Sequence, residues 1–188
     1  MTLARRAASL AVSCSAIAVL VMAPATGHAA IGGVSPHAKQ STETTEPAAP
    51  ASKAMLVNGR AIAPIDAPPA VKKVIAAANK IRTKPYVYGG GHARWWDSGY
   101  DCSGAVSFAL KGGNFLSSPM PSGPMASWGA AGRGRWITVY SNAGHAYAVI
   151  AGLRWDTAGN SGSSGPRWSE SLAAGARGPF VARHPVGY

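Results

Sequence analysis

Apolar residues recur at helical spacing in two stretches of the chain. In the first, they share one face of a helix that follows two prolines, which suit a first helical turn: Val71, Val74, Ile75, Ala78 and Ile81. In the second, Cys102, Val106 and Leu110 are four residues apart, and two glycines at 112–113 end the pattern. The spacing predicts one helix through 71–81 and another that begins at Cys102.

Strand-like runs follow the two helices. A short extended segment at 85–88 lies between the helices, and glycine-containing turns separate the later runs, at 136–140, 145–150, 153–157 and 180–183. Helices followed by a series of neighbouring strands are typical of an α+β domain. We therefore predict N-terminal helices packed on an antiparallel sheet.

The first 30 residues have the pattern of a secretory signal peptide. Arg5 and Arg6 precede an apolar run over 7–23, and small residues follow. An uncleaved membrane anchor is the second interpretation, but the run is short for a spanning helix and ends in Pro24 and Gly27. We expect export to the cell envelope or the medium, with cleavage near residues 25–30.

Residues 31–56 consist mainly of Ser, Thr, Pro, Ala, Gln and Glu. Such a composition has almost nothing to bury and predicts a disordered linker. A chain of 188 residues has room for one domain of ordinary size. We place that domain at 57–188.

The chain is basic because it has few acidic residues. It has 18 Lys and Arg against 7 Asp and Glu, a formal net charge of +11, although only 13% of its residues are charged. No run of three basic residues occurs, which argues against a nucleic-acid-binding arm or stripe. Scattered positive charge favours loose attraction to polyanions, and anionic wall polymers or a membrane surface qualify as well as a nucleic acid. We expect a monomer with no nucleic-acid partner.

Cys102 would be the single thiol of the exported protein, because Cys14 lies within the predicted signal peptide. Exported proteins usually hold their structural cysteines in pairs, and here no internal disulfide can form. An unpaired cysteine is then an inert buried residue, an intermolecular bridge or a nucleophile. The predicted helix start at Cys102 favours the thiolate, because free backbone N–H groups and the helix dipole stabilise its charge.

A nucleophilic thiolate needs a base, and two histidines are candidates. His145 stands at the start of a predicted strand, and its competitor His92 lies in an aromatic loop ten residues before Cys102. Asp156, on the next predicted strand, could orient the imidazole, or could only cap the turn that follows it. Two His and a Cys at zinc-ligand spacing do not occur, so no metal or cofactor is expected.

Three sequence words are more specific than these single residues. They are Pro-Tyr-Val-Tyr-Gly-Gly at 85–90, Gly-Tyr-Asp-Cys-Ser-Gly at 99–104 and Gly-His-Ala-Tyr-Ala-Val-Ile at 144–150. Together they resemble the NlpC/P60 family of cell-wall cysteine peptidases. The resemblance implies a papain-like core with Cys102 as nucleophile and His145 as base. Asp156 matches the third catalytic position, which in the family is more often His, Asn or Gln.

The same resemblance implies a set of substrate-binding residues. Tyr86 would shape the substrate site, and Asp101 and Ser103 match positions that contact the stem peptide. His92 is either a substrate contact or a hydrogen-bonded loop residue. The ordinary alternatives are a packing aromatic at 86, a helix-capping acid at 101 and a first-turn hydroxyl at 103.

Two segments depart from the family pattern. Residues 92–97 are additional, and the loop 114–134, rich in Ser, Pro, Gly and Met, replaces a shorter link. Loops of this length in compact domains usually have a function, so we expect both segments to border the groove.

The implied reaction is hydrolysis of an amide in the peptidoglycan stem peptide, most often between D-glutamate and the following diamino acid. Two alternatives remain. One is an acyltransferase or amidase that uses the same Cys/His pair on another acyl donor. The other is a wall-binding protein that kept the fold and lost turnover.

Overall fold

Two helices and an antiparallel sheet form the body of the molecule, seen in a computed structural model that describes residues 52–158, 165–173 and 178–188. Helix α1 spans Pro69–Ile81 and helix α2 spans Cys102–Gly112. Helix α2 contacts α1 and also strands of the sheet. This arrangement confirms the predicted α+β class. The predicted signal peptide and residues 31–51 of the predicted linker lie outside the described residues.

The main sheet is antiparallel throughout, in the order β3-β8-β4-β5-β6-β7. A separate hairpin precedes α1, and a short helix α3 lies between α2 and the sheet in sequence. The hairpin strands are β1 (Met55–Val57) and β2 (Arg60–Ile62), and α3 is Ser122–Met125. The sheet strands are β3 (Ala130–Ala131), β4 (Ile137–Ser141), β5 (Ala146–Ile150), β6 (Leu153–Asp156), β7 (Arg167–Ser169) and β8 (Val181–His184).

Both helices form where the apolar spacing predicts them. Helix α1 has proline at its first turn and buries the predicted apolar face, with Val71, Val74, Ala78 and Ile81 fully buried. Helix α2 is buried along most of its length. The side chain of Asp101 caps its start by accepting the Gly104 N–H at 2.7 Å.

Strand β6 fixes the sheet against the cysteine-bearing helix. Its Trp155 is fully buried and donates its indole N–H to the Ala105 carbonyl of α2 at 3.0 Å. A second indole does the same at the edge of the sheet, where Trp168 of β7 donates to Asn79 of α1 at 3.0 Å. Each indole N–H thus has a hydrogen-bond partner in the core, and the two bonds hold the sheet against the two helices.

The folded chain begins a few residues before residue 57. Ala54 is buried and donates its backbone N–H to the Ala151 carbonyl at 2.8 Å, and β1 begins at Met55. The last residues of the predicted linker, 31–56, are thus part of the domain. Strands β1, β2, β3 and β7 are two or three residues long, too short for an alternation that the sequence could reveal.

None of the helices in the described part of the chain has the length and apolar character needed to cross a membrane.

Candidate active site

Cys102 lies at the first position of α2 and lines an open cleft of about 680 Å³. The thiol is partly exposed, and no disulfide involves it. The cleft walls come from four segments that surround the start of the helix. These walls include Tyr86, Tyr88, Gly89, His92, Asp101, Ser103, Pro121, Ser122, Gly123, Pro124, Ala143 and Gly144.

His145 is the imidazole that contacts Cys102. It immediately precedes β5, is 5% exposed and forms a hydrogen bond with the thiol. The turn before it is closed by Asn142, whose side-chain oxygen accepts the backbone N–H groups of Gly144 and His145, both at 2.9 Å. This turn fixes the backbone position from which the His145 side chain extends.

Asp156 holds the other side of the imidazole. Its Oδ1 lies 2.9 Å from His145 Nε2 and also accepts the backbone N–H groups of Thr157 at 2.6 Å and Ala158 at 3.0 Å. Its Oδ2 accepts a hydrogen bond from the guanidinium of Arg154. Both interpretations offered by the sequence describe Asp156, since it caps the turn and also contacts the histidine.

The pKa values of the pair shift in opposite directions. Burial alone would raise the pKa of Cys102, but hydrogen bonds with His145 and the Ala146 N–H, and the charge of His145, lower it. Burial alone would lower the pKa of His145, but hydrogen bonds and charges at Asp156 and Cys102 raise it to about 9. Both shifts favour a thiolate beside an imidazolium.

His92 contacts a different part of the cleft. Its Nε2 lies 3.0 Å from Asp101 Oδ1 and 3.1 Å from Ser103 Oγ. Asp101 in turn accepts the Gly89 N–H on its other oxygen at 3.1 Å. His92, the other candidate base, is therefore hydrogen-bonded to the residues on either side of Cys102, whereas His145 contacts the sulfur.

Tyr86 lies on the cleft wall, and its backbone forms an isolated bridge with Tyr100. Its neighbour Tyr88 also lines the cleft and is 91% exposed. Sequence reasoning did not single out Tyr88, although its place in the Pro-Tyr-Val-Tyr word gave it the same signal as Tyr86.

The two segments that depart from the family pattern both reach the cleft. His92 comes from the first, and residues 121–124 from the second. The second segment is anchored at two points. Ser107 of α2 exchanges hydrogen bonds with the backbone of Met120, at 3.0 and 3.2 Å, and the Ser122 hydroxyl donates to the Ala143 carbonyl at 3.3 Å. The long loop is thus joined to both the cysteine helix and the histidine turn.

Gly104 is required by the close approach of the Gly90 loop to α2. A Cβ at 104 would overlap the Gly90 carbonyl oxygen, which accepts the Asp101 N–H at 3.2 Å. Gly104→Ala should push this loop away and lower the free energy of unfolding by about 1–3 kcal/mol. Urea unfolding checks this. Equal stability of Gly104→Ala and wild type would contradict the argument.

Within the described ranges, no group of three or more His, Cys, Asp or Glu side chains is arranged to hold a metal ion.

Comparisons with known proteins give solved structures only. No family model matches the chain, and no curated protein matches it. The chain is similar to the peptidoglycan hydrolase RipB from Mycobacterium tuberculosis, at 27% identity and a TM-score of 0.46, over 61% of this chain and 64% of that one. It therefore spans less than two thirds of the RipB chain.

Two further solved structures show the same level of similarity. RipD from Mycobacterium tuberculosis, described as a non-catalytic NlpC/p60 domain protein adapted to peptidoglycan binding, has 20% identity and a TM-score of 0.46 over 62% of this chain and 98% of that one. The resuscitation promoting factor interacting protein RipA has 22% identity and a TM-score of 0.47 over 72% and 69%. The chain has structural neighbours among NlpC/p60 domain proteins.

Proposed function

We propose that this protein is an exported NlpC/P60 cysteine peptidase that hydrolyses an amide bond in peptidoglycan stem peptides, with the bond after D-glutamate as the first candidate. The observation that carries the proposal is the hydrogen-bonded series Cys102, His145 and Asp156, which opens onto a cleft. A buried carboxylate, an imidazole and a thiol in this order are the parts of a cysteine hydrolase.

The reaction has two halves. Cys102 first forms and then breaks a bond to the substrate, and His145 first donates and then accepts a proton. The Cys102 thiolate attacks the amide carbonyl carbon, and backbone N–H groups at the start of α2 stabilise the oxyanion. The His145 imidazolium gives its proton to the leaving amine, and a thioester remains. His145, now neutral, takes a proton from water, which attacks the thioester and releases the new carboxylate and the thiolate.

Tyr86, Asp101, Ser103 and His92 are proposed to bind the stem peptide. The support is that all four line the cleft beside Cys102. Three of them are also joined by hydrogen bonds, so the peptide would meet a preformed polar wall.

The positive charge of the protein is proposed to act away from the cleft. No Lys or Arg is among the described residues that line it, while the chain as a whole has a formal net charge of +11. Attraction to anionic wall polymers would then bring the protein to its substrate without occupying the cleft.

Mass spectrometry of muropeptides tests the proposed function. Purified cell wall is incubated with the protein and, as a matched control, with the same protein alkylated by iodoacetamide. New stem-peptide fragments with the untreated protein alone are the expected result, and their masses identify the bond that is cut. Transfer of an acyl group to an added amine instead of water would favour the acyltransferase. Sedimentation with the wall and unchanged muropeptides under reducing conditions would favour the wall-binding protein.

A further inference from the structure

Arg154 is a buried charge next to the candidate catalytic series. It is 4% exposed, and its guanidinium donates to Asp156 Oδ2, on the opposite side of the carboxylate from His145. The guanidinium also lies over the ring of Tyr147, 4.6 Å from its centroid. A buried arginine is costly unless its partners hold it, and these contacts identify what holds this one.

The sheet register places these groups on one face of the sheet. Asp156 is two residues after Arg154 in β6, and Trp155 between them points to the helix side. Tyr147 is stacked on Tyr140, with ring centroids 4.9 Å apart, and packs edge-on against Phe180 at 5.2 Å. Arg154 therefore lies against Tyr147, one member of an aromatic layer formed with Tyr140 and Phe180, while its guanidinium donates to the carboxylate.

We propose that Arg154 is a positioning residue: by holding Oδ2 of Asp156, it directs Oδ1 to His145 and so keeps the imidazole directed at Cys102. The proposal rests on the proposed function, because it assigns a role within the Cys102–His145 pair. It goes beyond that function by adding a fourth, buried member on the far side of the carboxylate.

Two roles for Arg154 predict opposite shifts in the pKa of His145. If only its charge matters, removal of a nearby positive charge makes the imidazolium easier to form and raises that pKa. If it positions the carboxylate, removal lets Asp156 turn away, and the pKa falls. A fall is the expected result of the positioning role.

NMR titration of the His145 ring protons, assigned with a His145→Gln spectrum, separates the two. In the full-length Arg154→Met variant we expect the pKa of His145 to fall by about 1–2 units from its wild-type value of about 9. Alkylation of the Cys102 peptide, followed by mass spectrometry, should shift to higher pH in the same variant. An unchanged or raised pKa of His145 would overturn the proposal.

A second arginine near Tyr147 provides the control. Arg133→Met removes a positive charge from the same region, where Arg133 donates to the Tyr140 hydroxyl at 2.9 Å, without touching Asp156. It should leave the His145 pKa within a few tenths of a unit. Arg167, opposite Asp156 in β7, stays unchanged throughout.

Two further variants protect the test against misfolding. Arg154→Lys keeps a buried cation but replaces the planar guanidinium with a single ammonium. We expect an intermediate fall in the His145 pKa, and a wild-type value in this folded variant would contradict positioning by the guanidinium. In an Asp156→Asn background, adding Arg154→Met should lower the His145 pKa no further, because only the direct effect of the lost charge remains and that effect raises the pKa. An additional fall would show that Arg154 does not act through Asp156.

These measurements test the role of Arg154 independently of the proposed function. The pKa of His145 and the alkylation profile are measured without substrate. A protein that cuts no peptidoglycan but shows the expected shifts would retain the Arg154 proposal as a property of the site. If the wild-type protein cuts peptidoglycan but the His145 pKa is unchanged in Arg154→Met, the Arg154 proposal alone is overturned.

Discussion

Cys102→Ala should lower the rate of stem-peptide cleavage by on the order of 10⁶-fold, a loss seen when a hydrolase loses its nucleophile. The reason is that the proposed mechanism has the Cys102 sulfur as its nucleophile, and alanine offers no atom that could form the thioester. The measurement is the rate of fragment release from purified wall at saturating protein. Binding to the wall should be retained, because the cleft walls do not depend on the thiol.

Cys102→Ser sharpens the same test. The hydroxyl is nearly the same size but ionises much less readily, so a thiolate mechanism predicts a loss close to that of Cys102→Ala. Near-normal cleavage by Cys102→Ala would rule out Cys102 as the nucleophile, and near-normal cleavage by Cys102→Ser would contradict the need for a thiolate. The first result would then direct attention to another group in the cleft.

His145→Ala should reduce cleavage by roughly 10²- to 10⁴-fold, the usual contribution of general acid–base catalysis. The variant also removes the hydrogen bond and positive charge that lower the pKa of Cys102. Alkylation of Cys102 at neutral pH should slow in parallel with cleavage. His92→Ala is the matched control, because His92 contacts Asp101 and Ser103; it should leave the alkylation rate nearly unchanged.

The pH profile of the wild-type protein follows from the same pair. In the proposed mechanism, the imidazolium of His145 donates the proton to the leaving amine, and the pKa of His145 is raised to about 9. Cleavage should therefore persist through neutral pH and decline as the pH rises through about 9, because the proton donor is lost. A decline already near 6.5, the ordinary pKa of histidine, would contradict the Asp156 contact.

Cys102 and His145 could be named from the sequence because they lie in local words. Cys102 is marked by the turn and helix start around it, and His145 by the glycine and strand that flank it. The two helices were equally accessible, because their apolar spacing is a local property. The structure brings these predicted residues together, while their catalytic roles remain proposals.

Arg154 could not be found in this way. Leu153, Arg154, Trp155 and Asp156 alternate apolar and polar, a pattern that ordinarily indicates one buried face and one face in water. In the structure all four are buried, because the polar face of β6 meets His145 and the aromatic layer. Burial on both faces depends on parts of the chain that are distant in sequence, and no local pattern reports it.

The β1–β2 hairpin was missed for a different reason. Each strand has three residues, and several of its apolar side chains, including Met55 and Val57, remain exposed. A backbone contact between Ala54 and Ala151, almost a hundred residues away, holds this segment. The side chain of Asn79 in α1 also accepts the Ala61 N–H at 3.1 Å and donates to the Ala61 carbonyl at 2.8 Å. A composition-based boundary at residue 57 has no access to such a contact.

The turn between β5 and β6 has a consequence for how related chains are compared. Ala151 and Gly152 both have positive φ, 46° and 77°, and they join strands whose register pairs Ile150 with Leu153. One inserted or deleted residue here would exchange the two faces of β6, sending the carboxylate toward the core and the indole outward. The eleven-residue interval from His145 to Asp156 therefore has to be kept for the carboxylate to face the imidazole. In a divergent homologue, conservation of that interval would be a better sign that the cysteine, histidine and carboxylate are all in contact than the overall sequence identity would be.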